Sequence, residues 1–153
     1  MGPPSSGKKE IAEKLVERKI KGRTYPFIGR FWTSNMSIKN KDFNLVCFYT
    51  MKDHSTLKKD NIILLDKKPK IIVFVANIYS DYHKIESQGN IFREVKRFFP
   101  KTPTIVVMNK YVKSREKMNH IKRIFGSSLL TVPVDRKKGI VKLRNAMKNK
   151  VIG

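Results

Sequence analysis

The chain has 153 residues, 40% of them apolar and 10% aromatic, which is enough to bury the core of one domain. Its single cysteine excludes an internal disulfide, its three scattered histidines form no metal-ligand motif, and no apolar run approaches the roughly 18 residues of a membrane-spanning helix. The formal net charge of +22 favours contacts with phosphates, nucleic acid or anionic surfaces, and we expect one cytoplasmic domain spanning residues 1–153.

The beginning of the chain predicts a Gly-rich turn, a helix and a loop. Residues 2–8 are rich in glycine, proline and serine, which favour turns. Apolar residues then recur with helical spacing over residues 9–21, and Gly22 is a suitable stop. Residues 23–29 predict a loop, since Pro26 opposes a helix.

The next segment predicts an antiparallel hairpin. Residues 31–38 and 43–50 are rich in aromatic and β-branched side chains, and the short polar stretch between them is typical of a turn. Residues 51–70 are polar around one apolar patch, so we expect a loop with a weak helix there.

The second half alternates buried strands with amphipathic helices. Continuous apolar runs predict strands at 71–77, 104–108 and 129–134. Helical spacing predicts helices at 85–99, 115–125 and 139–151. Ser114 is expected to cap the second of these helices, and Pro100 and Gly126 to end helices. This order predicts βαβ units in a mostly parallel α/β sheet, with the hairpin adding one antiparallel edge strand.

The opening residues fit the phosphate-binding pattern G-x-x-x-x-G-K. Two glycines would let the backbone curl around a phosphate, Lys8 would reach the β- and γ-phosphate oxygens, and the following helix would contribute its positive end. The predicted phosphate-binding residues are Gly2, Ser5, Ser6, Gly7, Lys8, Lys9 and Glu10. Lys9 occupies the place of the hydroxyl that ligates Mg²⁺, so we expect Mg²⁺ to bind weakly or not at all. The buried strand that normally precedes such a loop is expected upstream of Met1 or missing.

Taken together, these segments resemble the Ras-like small GTPases over nearly the whole chain. A phosphate loop and helix precede a hairpin of the kind that carries the switch regions, and TIVVMNK puts Asn109 and Lys110 directly after a strand, as in the family's N-K-x-D motif. The last segment, VPVDRKKGIVKLRNAM, resembles the final strand, S-A-K loop and closing helix. The resemblance implies a three-layer P-loop GTPase-like fold that holds GTP or GDP, with the stem of Lys110 packed on the base.

Several positions depart from that family's motifs. Val112 stands where an aspartate accepts two hydrogen bonds from guanine, and residues 135–137 do not match S-A-K. Residues 50–53 lack the D-x-x-G pattern, and His54 falls where the family places its catalytic glutamine. The resemblance therefore implies a degenerate member with little or no hydrolysis. We expect it to act as a regulatory or interaction module with a protein partner.

Other functions fit the same residues. Residues 101–153 carry 14 basic and two acidic residues, which favours a polyanion or nucleic acid. Lysine outnumbers arginine 25 to 9, however, and such a surface also suits plain solvation. The chain could equally be a GTPase-like interaction module that binds no nucleotide. The stretch GPPSSGK also resembles the opening of adenylate kinases, although no arginine-rich lid segment is evident.

Overall fold

The described residues of the chain form an α/β structure with two three-stranded sheets. A computed structural model describes residues 7–16, 23–25, 29–38, 41–48, 69–79, 82–131 and 133–152. The helices among these residues are α1 (Lys8–Val16), α2 (Tyr82–Phe98), α3 (Arg115–Phe125) and α4 (Lys137–Ile152). The strands are β1 (Arg23–Tyr25), β2 (Gly29–Ile38), β3 (Lys41–Phe48), β4 (Ile72–Ala76), β5 (Thr104–Met108) and β6 (Leu129–Leu130). No helix in these ranges is long and apolar enough to cross a membrane.

The first sheet is antiparallel, in the order β1-β2-β3. The predicted hairpin is confirmed, since Trp32 pairs with Cys47 and Ile38 with Lys41. The loop predicted for residues 23–29 is partly wrong, because Arg23–Tyr25 forms a short strand on the outer edge of β2. Three residues are too few to produce a periodic signal, and the strand exists because β2 offers it an edge of backbone donors and acceptors.

The second sheet is parallel, in the order β4-β5-β6. The strands predicted at 71–77 and 104–108 are confirmed, with Ala76 paired to Met108 at their carboxyl ends. The third predicted strand is shorter than expected and ends at Leu130. Pro133 has no N–H to donate to a ladder, although Val134 N–H still bonds the Met108 carbonyl at 3.1 Å.

The described strands do not form the one mixed sheet expected from the sequence. Among the described strands, β3 does not pair with β4, so the hairpin belongs to a separate sheet. Helix α1 lies against β2 and β3 and also against α4, which packs on the parallel sheet. In the described structure, α1 therefore connects the two sheets through packing.

Helices cover both faces of the parallel sheet. On one face, α2 and α3 enclose a core that includes Phe74, Phe92 and Phe125, whose ring centroids lie 5.5 to 6.0 Å apart. On the other face, α1 and α4 bury Leu15 and Leu143 against neighbouring strand residues. Successive strand residues point to opposite faces, which is why continuous apolar runs such as 72–76 are buried on both sides.

Local signals set several helix ends. Ser114 Oγ accepts a hydrogen bond from Lys117 N–H at 3.2 Å, as expected of an N-cap, and Gly126 ends α3 with φ 57°. Helix α2 begins at Tyr82, three residues before the predicted start. The predicted continuation of α1 to residue 21 and the weak helix within 51–68 lie outside the described residues, as does His54.

Candidate functional site

The site begins at the turn that leads into α1. Gly7 has φ 76°, a left-handed conformation that favours glycine, and its carbonyl accepts the N–H of Ile11 at 3.0 Å. The first turn of a helix leaves N–H groups without intrahelical partners and carries partial positive charge. Of the predicted loop, Gly2, Ser5 and Ser6 lie outside the described residues.

Two lysines lie at this end of α1. Lys8 is only 7% exposed, and the side chain of Lys9 is 44% exposed with Nζ 3.9 Å from Glu13. A cation held at the positive end of a helix adds to the helix's own field. The helix end and the two lysines give the start of α1 positive charge, which Glu10 in the same turn and Glu13 beside Lys9 partly offset.

Glu10 connects this turn to the end of β5. Lys14 Nζ donates to Glu10 Oε1 at 2.8 Å, and this bond with the charge of Lys14 lowers the pKa of the Glu10 carboxyl. The charge of Lys110 lowers that pKa further, while burial opposes both effects. Lys14 Nζ also donates to the Asp135 carbonyl at 3.2 Å, and the neighbouring Val134 N–H bonds the Met108 carbonyl at 3.1 Å. Glu10 and Lys14 therefore lie near the carboxyl end of β5, which Lys110 follows. The fold thus brings the predicted residues Gly7–Glu10 and Lys110 to one edge of the sheet.

Asn109 has a structural role at the same edge. Its Oδ1 accepts the N–H of Ile78 at 3.2 Å, and its Nδ2 lies 3.4 Å from Asn77 Oδ1. Asn77 Oδ1 also accepts the N–H of Tyr79 at 3.1 Å. Asn109 therefore ties the turn after β4 to the end of β5, and its predicted contact with a base would have to share these groups.

Gln88 completes that amide network from within α2. It is 4% exposed, its Oε1 accepts the N–H of Asn77 at 2.8 Å, and its Nε2 donates to the Asn77 carbonyl at 3.0 Å. Neither Gln88 nor Asn77 was among the residues predicted for the site. Both carried a usable signal, since Asn77 ends a buried apolar run and Gln88 lies on the apolar stripe of α2 between Ile85 and Phe92, where a polar group needs partners.

The positions that departed from the family's motifs occupy distinct environments. Val112 is 7% exposed and belongs to the core between α2, α3 and the sheet, so it faces apolar neighbours. The Asp135 carbonyl accepts a bond from Lys14 Nζ at 3.2 Å, which ties the loop before α4 to α1. Asp135 Oδ1 is buried and has no hydrogen-bond partner among the described residues.

Metal ligands are not clustered in the part of the chain that the structure describes. Within it, no group of three or more histidine, cysteine, aspartate or glutamate side chains is arranged to hold an ion. The expectation of weak Mg²⁺ binding, which rested on Lys9, stays a prediction.

Comparison with known proteins supports the fold rather than a function. No family model matches the chain, and no curated protein matches it. Crystal structures of two SsGBP variants, with serine or proline at the same glycine, are similar over 99% of this chain, with TM-scores of 0.67 and 0.65. The sequence identities are 14% and 15%, and the chain spans about half the SsGBP length, 54% and 55%. At this identity the likeness concerns the α/β fold alone.

Proposed function

We propose that this protein binds a nucleoside polyphosphate, GTP or GDP, at the carboxyl edge of its parallel sheet. The observation that carries the proposal is the left-handed Gly7, which turns the chain into the start of α1, where the charge of Lys110 acts on Glu10. Phosphate oxygens would accept bonds from the N–H groups of the first turn of α1 and would pair with Lys8 and Lys9. Phosphate contacts would supply most of the affinity.

A P-loop GTPase-like fold is the finer description that we propose for this architecture. The arrangement of α1 and α4 on one face of a parallel sheet, with α2 and α3 on the other, supports it. In open parallel sheets, ligands bind outside the carboxyl ends of the strands. Asn109 and Lys110 directly follow β5 at that edge, and α1, which begins after Gly7, reaches the loop before α4 through Lys14.

Recognition of the base would be weak in this proposal. Val112 is buried in the core and has no acceptor for the guanine edge, and the amide of Asn109 already bonds the turn after β4. A buried polar edge without a partner costs about 1–3 kcal/mol. We therefore infer similar affinities for guanine and adenine nucleotides, and a regulatory or interaction role in place of efficient hydrolysis.

Titration with fluorescent GTP, GDP and ATP, alongside unlabelled tripolyphosphate as competitor, tests the proposal. We expect all four to bind and tripolyphosphate to displace the nucleotides. Ligand at about 100 times its Kd should raise the free energy of unfolding by about 2.7 kcal/mol. Lys8→Met should weaken binding about tenfold or more, because a charge-assisted bond to phosphate contributes about 1.5–3 kcal/mol.

Lys142→Met is the matched control, because Lys142 is exposed on α4 and should leave binding unchanged. Lys9→Met serves as a second site variant if Lys8→Met folds poorly, since Lys9 is partly exposed. Ligand that neither binds nor raises the melting temperature of the wild type would remove the proposal. That result would favour the alternative, an interaction module without nucleotide, which the internal bonds of Asn109 support.

A further inference from the structure

Two exposed tyrosines stand at the carboxyl edge of the parallel sheet. Tyr79 is 72% exposed and Tyr111 is 62% exposed. Ala76 and Met108 are paired in register, and each tyrosine follows its strand's last residue by three positions. The two rings therefore project from neighbouring loops, and large aromatic side chains so exposed are suited to contact a partner.

The backbone beneath these rings is held by hydrogen bonds. The N–H of Tyr79 bonds Asn77 Oδ1, and the Asn109 side chain bonds both Ile78 N–H and Asn77. Gln88 fixes Asn77 through both of its backbone groups. Because this support is already ordered, binding to the rings would require little further ordering of the loops.

Cations lie in the loop that carries Tyr111. The segment 109–115 contains Lys110, Lys113 and Arg115 and no acidic residue, and all three side chains are exposed. The nearby carboxylate of Glu10 is bonded to Lys14. This edge therefore combines positive charge with stacking surface, while the whole chain, with net charge +22, attracts polyanions over a longer range.

We propose that this edge binds single-stranded nucleic acid, with bases stacked on Tyr79 and Tyr111 and phosphates paired with Lys110 and Lys113. Stacking on aromatic rings beside a basic track is the usual basis of single-strand binding. A duplex keeps its bases stacked and would offer these rings nothing but its backbone. Among the residues with described side chains, the two other large exposed apolar ones, Phe98 and Val141, lie elsewhere on α2 and α4, so the described part of this edge has no apolar patch for a membrane.

Fluorescence anisotropy with labelled oligouridylate and oligothymidylate of about 12 nucleotides, and a duplex of equal length, tests this proposal. The RNA and DNA arms show whether the 2′-hydroxyl matters. We expect both single strands to bind more tightly than the duplex. Tyr79→Ala and Tyr111→Ala should each weaken binding at least about fivefold, whereas Tyr→Phe at either position should stay within about twofold of the wild type, because the ring is retained.

The contribution of Lys110 and Lys113 is measured against a control pair of lysines whose removal changes the net charge equally. Lys110→Ala with Lys113→Ala should weaken binding and reduce the slope of log affinity against log salt by about 1.4, as expected for two lost single-strand phosphate contacts. Lys101→Ala with Lys150→Ala removes two exposed lysines from the opposite end of the sheet and of α4. This control should change affinity far less at each salt concentration between about 50 and 200 mM.

Three results would overturn the inference. Equal losses of oligonucleotide affinity in the two double-lysine variants, with no effect of the tyrosine variants, would mean that the charge of the whole surface attracts the nucleic acid. Tighter binding to anionic vesicles that needs the tyrosines, without single-strand binding, would assign the edge to a membrane. Loss of labelled GTP binding in the tyrosine variants, with no oligonucleotide bound by the wild type, would assign the rings to the nucleotide site and leave that proposal intact.

Discussion

Amide side chains hold the loops that follow strands β4 and β5 in place. Gln88 lies in a helix that is otherwise apolar toward the sheet. Its side-chain amide bonds the backbone N–H and carbonyl of Asn77, as a neighbouring strand would. The side chain of Asn109 likewise accepts the backbone N–H of Ile78. A buried amide left unpaired would cost about 1–3 kcal/mol, so these bonds keep the two loops in one arrangement. The candidate site depends on that arrangement.

The Glu10 carboxyl gives a residue-scale prediction about protonation. Its bond and ion pair with Lys14 lower its pKa below the ordinary value of 4.5. Any stability from this pair is thus fully present above pH 4.5 and disappears as the pH falls through the lowered pKa. The side chain is 68% exposed, so we expect the pair to contribute only about 0.3–0.5 kcal/mol.

An NMR titration of the Glu10 carboxyl checks this prediction directly. In the folded wild type the Glu10 pKa should be lower than 4.5, and Lys14→Met should raise it most of the way back to that value. Lys110→Met should raise the Glu10 pKa by less, because Lys110 lowers it through its charge without a hydrogen bond. A Glu10 carboxyl insensitive to both variants would contradict the proximity on which the site rests.

At the scale of elements, α1 and α4 are joined at both ends of their contact. Arg144 Nη2 donates to the Leu15 carbonyl at 2.6 Å and lies 3.4 Å from the Lys14 carbonyl. These carbonyls are in the last described turn of α1, and a charged guanidinium makes strong hydrogen bonds to carbonyls. Near the start of α4, Lys14 reaches the Asp135 carbonyl. The position of α1 therefore depends on α4.

Arg144→Ala should lower the free energy of unfolding by about 1.5–3 kcal/mol, since it removes charge-assisted bonds to carbonyls of α1. Arg144→Lys should recover only part of this loss, because a single ammonium cannot match the planar fork of the guanidinium. Urea unfolding measures both effects, with exposed Lys142→Ala as the control. If Arg144→Ala were no more damaging than Lys142→Ala, the bond would be dispensable.

For the whole molecule, the packing of α1 links two sheets that do not pair with each other in the described structure. Ile11 and Leu15 are buried with Val107 and Leu143 in the core between the parallel sheet and α4. The same helix lies against β2 and β3. The two sheets should therefore unfold in one transition only while α1 stays packed between them. The one tryptophan of the sequence, Trp32, lies in β2 and reports on the antiparallel sheet.

Leu15→Ala tests this coupling. Leu15 is 5% exposed, so its truncation should cost about 2–5 kcal/mol. In urea, wild-type transitions followed by Trp32 fluorescence and by far-UV circular dichroism should coincide, whereas in Leu15→Ala the tryptophan transition should come first. Val141→Ala, at a position 46% exposed on α4, should change neither midpoint by much. Transitions that shift but still coincide in Leu15→Ala would show that α1 does not couple the sheets.

Local patterns in the sequence determined much of this protein. The run TIVVM forms β5 from end to end, Ser114 and Gly126 bound α3 as expected, and the hairpin pairs as predicted. These features depend on residues that are near one another in the chain, through alternation, continuous burial or capping. The positive-φ Gly7 at the start of α1 was likewise readable from a glycine before a helical pattern.

Only the tertiary structure decided which elements meet. The short strand β1 needs the edge of β2, and the division into two sheets depends on which strands find partners. Val112 is in the core because α2 and α3 enclose it, and the bond from Lys14 to the Asp135 carbonyl joins segments 121 positions apart. Such contacts are set by packing between distant parts of the chain, and neither periodicity nor capping contains that information.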